Sequence, residues 1–215
     1  MYFDIHTHKR QNSHDTNSII SRFPNDTSNS LNNTNYSIGI HPSFIQVERQ
    51  ELELETIKEY GKKSNIVAIG EIGLDKTSAI PFKLQLEVFI KQIKIAESFN
   101  KPIIIHCVKS FSVILKLKKS STIPWIIHGF RGKSELASQL IKKGIYLSFG
   151  SAILNNSPTL HSTVLTIPLD KIFIETDNME INIKELYKKI AEIKGISIES
   201  LVQAVNFNRQ KVFNQ

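Results

Sequence analysis

Short, almost wholly apolar runs that recur along the chain constrain its fold more than any other feature. The clearest are Ile66–Gly70, Pro102–His106 and Pro124–His128. A strand with one face in solvent alternates apolar and polar residues, whereas a strand of a parallel sheet, buried on both faces, is apolar at nearly every position. These runs therefore predict a parallel sheet whose two faces are covered by helices.

Segments with helical periodicity lie between the predicted strands. Pro81–Phe99 is the best of them, because apolar residues recur at helical spacing after a proline that suits a helix start. The other predicted helices end at Gly61, near Lys119 and before Gly144, or span 183–194 and 197–212. The stretch that follows Asn155 predicts a polar loop and one helical turn.

Eight short strands are counted in all, if the weak segment Ser18–Phe23 is included. They span 2–8, 18–23, 36–40, 66–70, 102–106, 124–128, 145–150 and 171–177. Strands that alternate with helices predict an α/β fold, and eight units in 215 residues favour a compact, abbreviated (β/α)8 TIM barrel that forms a single domain over residues 1–215. The first helix is expected to be reduced or missing, because an Asn-, Ser- and Thr-rich stretch separates the first strands. An open doubly wound sheet is the alternative, but no Gly-rich phosphate loop follows the first strand.

The net charge favours an anionic partner. The chain has 27 Lys and Arg against 20 Asp and Glu, a net charge of +7, and a pI of about 9.4. Nucleic acid or another phosphate ester is the expected substrate, although a general bias towards Asn, Ile and Lys would give the same charge.

Cys107 is the only cysteine, which excludes an intrachain disulfide. With neither a signal-peptide pattern nor a run long enough for a membrane span, a cytoplasmic protein without membrane contact or obligate protein partner is expected.

The opening segment Tyr2–His8 carries two histidines that point the same way in an extended strand. Alternate side chains of a strand share a face, so Asp4, His6 and His8 lie on one side. Imidazole is the commonest metal-ligating side chain, and a His-x-His pair at a strand end suits one divalent ion. Taken alone, the pattern is more often an accident or a pair of exposed polar residues.

Four other predicted strands end in a residue that can bind metal: Glu71, His106, His128 and Asp177. The carboxyl ends of the strands of a (β/α)8 barrel meet at one face, where the active sites of this fold lie. We therefore expect these residues to share a site with His6 and His8. Six ligands exceed what one ion with an open position requires, so two divalent ions are expected. Imidazole and carboxylate ligands suit zinc, manganese or iron, while magnesium prefers more oxygen.

Seven motifs follow one another in a specific order and spacing: Met1–His8, Gly39–Pro42, Ala68–Asp75, Gln85 with Phe89, Gln92 and Ala96, Pro102–His106, His128–Phe130 and Glu175–Asp177. Over the length of the chain they resemble the TatD family of metal-dependent hydrolases and deoxyribonucleases, in the amidohydrolase-like superfamily. The resemblance implies that His6 and His8 bind one metal and that Glu71 bridges to the second. It also implies that His106 and His128 bind the second metal, and that Asp177 is a ligand that handles the proton of the attacking water.

Three departures from the family pattern concern substrate recognition. Many members carry an arginine where this chain has Val108, with Lys109 beside it as a substitute, and Arg131 replaces a small residue. The proline-containing loop that usually follows Asp177 is shortened here. Lys109 and Arg131 are candidates for binding phosphate, and His41 is a candidate for lining the pocket. The alternatives are solvated surface charge for the two cations and a buried structural role for the histidine.

Hydrolysis of DNA phosphodiester bonds, as by a nuclease or exonuclease, is the predicted reaction. Two cations can activate a water and neutralise the charge that builds during displacement, with Glu71 and Asp177 as the catalytic carboxylates. One alternative is a hydrolase of another ester or amide, such as an aminoacyl ester on RNA. Another is a catalytically weak nucleic-acid-binding protein that keeps the fold. Outside the predicted site, Asp75 is expected to cap or turn the chain and Trp125 to pack in the core.

Overall fold

The computed structural model of the protein describes residues 1–9, 14–26 and 34–213. Met1–Ser18 with Ile127–Gln215 form unit 1, and Ile19–Ile126 form unit 2. The described strands belong to one sheet whose order follows the chain. They are β1 (Tyr2–Thr7), β2 (Thr16–Arg22), β3 (Asn35–Ile38), β4 (Ile66–Asp75), β5 (Ile103–Val108), β6 (Trp125–Ile127), β7 (Tyr146–Phe149) and β8 (Ile172–Ile174). The helices are α1 (Gln50–Gly61), α2 (Phe82–Ser98), α3 (Phe111–Lys118), α4 (Ser134–Lys142), α5 (Pro158–Thr166), α6 (Ile183–Lys194) and α7 (Ile198–Phe213).

Unit 2 is organised around β4, the longest described strand. It pairs in parallel with β3 and with β5. All ten of its residues are buried, as expected for a strand covered on both faces. Helix α2 packs on β4, and the ring of Phe89 on α2 lies 6.1 Å from that of the buried Trp125. Trp125 therefore packs in the core, as predicted.

Unit 1 holds β1 in place through two helices. The rings of Phe3, Phe173 and Phe213 stack edge to face, with centroids 5.9 to 6.2 Å apart. The hydroxyl of Tyr187 on α6 donates a hydrogen bond to the carbonyl oxygen of Phe3 at 2.9 Å and accepts one from its N–H at 3.2 Å. Helices α6 and α7 thus fix the strand that carries His6.

The alternation of strands and helices is confirmed, with differences at the ends of elements. Strand β4 continues to Asp75 instead of ending at Gly70. The described residues between β1 and β3 contain no helix, as predicted, while 10–13 and 27–33 lie outside the described residues. None of the helices in the described part of the chain combines the length and the apolar character needed to cross a membrane.

The prediction of a single helical turn after Asn155 is wrong, because α5 has nine residues. The side chain of Ser157 accepts a hydrogen bond from the N–H of Leu160 at the start of this helix. Leu160 and Val164 are buried, and α5 packs against α4 and α6. Packing of these residues stabilises a segment whose threonines have low helix propensity.

Candidate metal centres

Three potential metal ligands of unit 1, His6, His8 and Asp177, form the first cluster. His6 is buried in β1, His8 directly follows that strand, and Asp177 lies shortly after β8. The Nε2 atoms of His6 and His8 lie 3.7 and 3.5 Å from Oδ1 of Asp177. Two ligands bound at about 2.1 Å to a tetrahedral ion stand about 3.4 Å apart. The donor atoms and their spacing therefore fit one divalent ion.

The backbone of Asp177 is tied to the end of β1. Its N–H donates to the carbonyl oxygen of His6 at 2.9 Å, and its own carbonyl oxygen accepts from the N–H of His8 at 3.2 Å and from Oγ1 of Thr7 at 3.3 Å. Asp177 has a φ of 54°, in the left-handed region that aspartate adopts more readily than most residues. These bonds hold the carboxylate of Asp177 beside the two histidines.

Asp4 is not part of the first cluster but bonds to the residue that precedes Asp177. Its Oδ1 accepts a hydrogen bond from the N–H of Thr176 at 3.1 Å, and its Oδ2 accepts one from Oγ1 of Thr176 at 2.6 Å. Burial raises the pKa of Asp4 to about 7, even though the bonds from Thr176 lower it. Asp4 therefore joins β1 to the segment that carries Asp177.

His128 lies next to the first cluster and is held by Glu175. The ring centroids of His128 and His6 are 4.4 Å apart, and Nδ1 of His128 lies 3.3 Å from Oε1 of Glu175. The N–H of Gly129 donates to the same oxygen at 2.7 Å. Burial raises the pKa of Glu175, but His128, His6 and Ser148 together lower it below its ordinary value. An ionised Glu175 keeps the proton of His128 on Nδ1, which leaves Nε2 as the candidate ligand atom.

Three potential ligands of unit 2, His41, Glu71 and His106, form the second cluster. Oε1 of Glu71 lies 2.9 Å from Nδ1 of His106 and 3.3 Å from Nε2 of His41. The two imidazole rings are 4.4 Å apart between centroids. Nδ1 of His106 and the carboxylate oxygen of Glu71 form a mixed donor set that fits a second divalent ion, and Nε2 of His41 joins this set only when that atom carries no proton.

An irregularity in β4 accompanies Glu71. The register between β4 and β5 shifts between Ile69 and Ile72, so Gly70 and Glu71 lie outside the regular pairing. A Cβ atom on Gly70 would come within 2.7 Å of Cβ of Ile104 on the neighbouring strand. Glycine at this position therefore permits the close approach of the two strands where Glu71 leaves the regular ladder.

Asp75 does more than turn the chain. Its Oδ1 accepts a hydrogen bond from the N–H of Thr77 at 2.7 Å, which is the predicted turn, and its Oδ2 lies 3.2 Å from Nε2 of His106. Burial raises the pKa of Asp75, but bonds from Thr77 and the contact with His106 lower it below its ordinary value. An ionised Asp75 accepts a hydrogen bond from the N–H at Nε2 and leaves Nδ1 of His106 to the second cluster.

Two buried glutamines of α2 clamp the backbone at the ends of β3 and β4. Gln92 accepts a hydrogen bond from the N–H of Ile40 at 2.7 Å and donates one to its carbonyl oxygen at 3.1 Å. Gln85 likewise accepts a hydrogen bond from the N–H of Asp75 at 2.8 Å and donates one to its carbonyl oxygen at 2.9 Å. Residues seven apart lie on one face of a helix. One face of α2 thus sets the backbone beside His41 and at Asp75.

The three predicted substrate contacts lie in different surroundings. His41 is part of the second cluster, and its Nδ1 accepts a hydrogen bond from the N–H of Ser43 at 3.1 Å. Arg131 is exposed and lines a small cavity of unit 1 together with Glu175 and Asp177. Lys109 is exposed directly after β5, with a φ of 52°. Their roles stay predictions.

Within each unit the structure brings predicted ligands together: His6, His8, Asp177 and His128 in unit 1, and Glu71 and His106 in unit 2. The bridge by Glu71 and the sharing of all six ligands stay predictions. The sequence interpretation missed the contacts of Glu175 and Asp75 with His128 and His106, two of the candidate ligands. Both residues lie in motifs in which the chain resembles the TatD family, and that resemblance was the one sign in the sequence that they belong near the site.

Comparisons with known proteins give the family. The family model described as TatD related DNase matches residues 3–214. The "Uncharacterized metal-dependent hydrolase YabD" of Bacillus subtilis is 33% identical over 195 residues, with 82% of this chain and 76% of YabD covered. The "Putative deoxyribonuclease tatdn3" of Danio rerio is 30% identical over 202 residues, with 82% of this chain and 75% of that protein covered.

Solved structures agree on the fold. The structure of YJJV, a TatD homolog from Escherichia coli K12, matches with a TM-score of 0.83 at 18% identity and covers 100% of this chain and 98% of that chain. A TatD family hydrolase from Entamoeba histolytica matches with a TM-score of 0.78 at 18% identity, covering 99% and 97%. These likenesses confirm the predicted α/β fold of the (β/α)8 barrel class. With the family model spanning nearly all of it, the chain belongs to the TatD family of metal-dependent hydrolases.

Proposed function

We propose that the protein cleaves phosphodiester bonds of DNA with two divalent ions, one on each cluster. The observation that carries the proposal is that each unit holds two or more imidazoles and a carboxylate within ligand distance of one another, just after or within its strands. Nitrogen and oxygen donors together favour zinc, manganese or iron. Glu71 as a bridging ligand and His128 as a ligand of the second ion belong to the same proposal.

When bound, a pair of such ions supplies a nucleophile at neutral pH and neutralises charge on a phosphoryl group. The chain supplies the rest. The carboxylate of Asp177 is 37% exposed, so it can both touch the first ion and release a proton to solvent. Arg131, which lines the same small cavity of unit 1 as Asp177, offers two parallel N–H donors to a phosphate, and Lys109 offers a point charge.

A nucleic-acid substrate is supported by charge and by likeness. The net charge of +7 draws polyanions to the protein. The matching family is described as TatD related DNase, and a relative of 30% identity carries the name "Putative deoxyribonuclease tatdn3". DNA is accordingly the first substrate to test.

The test is cleavage of end-labelled single- and double-stranded DNA by purified protein, stripped with chelator and reloaded with zinc, manganese, iron or magnesium. We expect no cleavage after stripping, restored cleavage with at least one ion, and a loss of at least about 100-fold in Asp177→Asn. Asp170→Asn, which changes an exposed aspartate of the same unit, is the matched control and should cleave normally. Turnover of p-nitrophenyl acetate or aminoacylated RNA, without DNA cleavage under any ion, would overturn the proposal.

A further inference from the structure

A cavity of about 230 Å³ lies in unit 2. Its walls include the rings of Phe23, His41 and Phe44 and the side chain of Glu53. We infer that this aromatic cavity binds one nucleobase of the substrate, which stacks on Phe44 and directs an amino group to Glu53. The inference rests on the proposed function, since a nucleobase reaches the cavity as part of the nucleic acid that is cleaved.

Phe44 gives the cavity a stacking surface. The side chain is 60% exposed, although its ring contacts two other rings: that of Phe23, with centroids 5.5 Å apart at 85°, and that of His41, at 5.2 Å and 41°. Edge-on and tilted neighbours fix the orientation of the phenyl ring and leave much of it open to a ligand. Proteins that bind single strands use such aromatic side chains, because every base has a flat apolar face.

His41 connects the aromatic cavity to the second cluster. Its Nδ1 accepts the hydrogen bond from Ser43, while its Nε2 lies 3.3 Å from Glu71. The same imidazole therefore forms a wall of the cavity and a side of the candidate metal centre. In a nucleotide, a single sugar separates the base from its phosphate. A base in the aromatic cavity would therefore place the phosphate of its own nucleotide near the second cluster.

Glu53 gives the aromatic cavity its selectivity. The side chain is buried on α1, and its Oε1 forms an ion pair with the guanidinium of Arg49 at 3.7 Å, which is longer than a hydrogen bond. An ionised carboxylate only accepts hydrogen bonds, so it favours a base that offers N–H groups. Adenine and cytosine carry an exocyclic amino group, whereas thymine has a carbonyl oxygen at the corresponding position.

The size of the aromatic cavity limits what it can hold. Pockets for drug-sized ligands measure about 300–1,000 Å³. A cavity of about 230 Å³ is smaller and suits a single planar ring system. The sugar and phosphate of a bound nucleotide would then lie outside it, on the side of His41.

The first test measures binding of fluorescein-labelled single strands of dC, dA or dT by anisotropy, with the full chain in chelator so that no strand is cut. We expect Phe44→Ala to weaken binding of dC and dA about tenfold and Phe44→Tyr to keep it. Phe207→Ala is the matched control, because Phe207 is also 60% exposed but lies on α7 of unit 1. Equal binding by Phe44→Ala and the wild type would overturn the inference.

The second test asks whether Glu53 selects the base. The wild type should bind dC and dA more tightly than dT, and Glu53→Gln should reduce that preference about fivefold, because an amide both donates and accepts. Melting temperatures of the variants establish that they fold. A preference unchanged by Glu53→Gln would remove Glu53 from the subsite and overturn this part of the inference.

Cleavage of the same strands by the metal-loaded wild type separates the two proposals. If the wild type cuts DNA and Phe44→Ala binds and cuts equally well, the base subsite is wrong and the proposed function stands. If the wild type cuts no strand with any ion, the proposed function is wrong, and the base subsite is overturned with it.

Discussion

The two clusters contain the same kinds of side chain but are held in place differently. In the first cluster, hydrogen bonds run directly between the segments that carry its ligands, from the end of β1 to Asp177. In the second cluster, the connection is made by helix α2, because its Gln85 and Gln92 form hydrogen bonds with the backbone of Asp75 and Ile40. The first cluster therefore depends on strand ends, and the second depends on a helix face.

The clusters also differ in their access to solvent. The carboxylate of Asp177 is 37% exposed, whereas that of Glu71 is 8% exposed and already contacts two imidazoles. An ion at the first cluster would meet spaced ligands, while one at the second must displace short contacts. Metal binding at the second cluster therefore requires a larger shift of side chains than metal binding at the first.

The largest expected effect comes from removing two ligands of one cluster at a time. His8→Ala with Asp177→Ala, and separately His41→Ala with His106→Ala, should each lower the metal content from two ions to one per chain. The metal affinity of the altered cluster should fall by more than the roughly 10–100-fold that follows when a residue supporting a ligand is changed. Elemental analysis after dialysis measures the content. His161→Ala is the control, and a pair that leaves the content unchanged would remove its cluster as a metal site.

Gln92→Leu should break the helix clamp of the second cluster. It leaves the N–H and the carbonyl group of Ile40 without their partner, at a cost of about 1–3 kcal/mol for each buried group. Thermal and urea unfolding should show a stability loss of about 2–4 kcal/mol. Gln139→Leu, at an exposed position of α4, should change stability by less than about 0.5 kcal/mol. Equal stability of the two variants would contradict the clamp.

Much of this architecture is visible in the sequence because it follows local patterns. Apolar runs and helical periodicity predict the sheet and most helices, and strand alternation predicts that His6 and His8 point together. The length of α5 is not visible, because tertiary packing of Leu160 and Val164 compensates for weak propensity.

The glycines of β4 show why its length escaped prediction. Glycine in a strand pattern usually weakens the strand, so Gly70 and Gly73 suggest an end. In the structure, a Cβ on Gly73 would lie 2.0 Å from the carbonyl oxygen of His106, so both glycines allow close contact with β5 instead. The contacts of Asp75 and Glu175 with histidines depend on the same tertiary detail, which no local pattern carries.

Glu175→Gln should weaken binding of the ion that His128 ligates in the proposed site. The charge that holds the proton of His128 on Nδ1 is lost, while the hydrogen bond from Gly129 can persist. Removing such a partner costs about 10–100-fold in metal affinity. Titration of stripped protein with zinc or manganese measures it, and Glu135→Gln on the surface of α4 is the control. Affinity equal to that of the control would show that Glu175 has only a structural role.

Asp75→Asn should have the smallest effect of the four. Asparagine can still accept the hydrogen bond from the N–H of Thr77 through its amide oxygen, so the geometry of the turn can persist, but its NH2 group then faces Nε2 of His106 and cannot accept from it. His106 thus loses both the negative charge and its acceptor, but the His106 side chain is 20% exposed, so water can take the place of that acceptor. We expect metal affinity to fall by less than about tenfold, below the loss in Glu175→Gln. A larger loss than in Glu175→Gln, at an unchanged melting temperature, would reverse the comparison and show that His106 depends on its outer carboxylate more than His128 does.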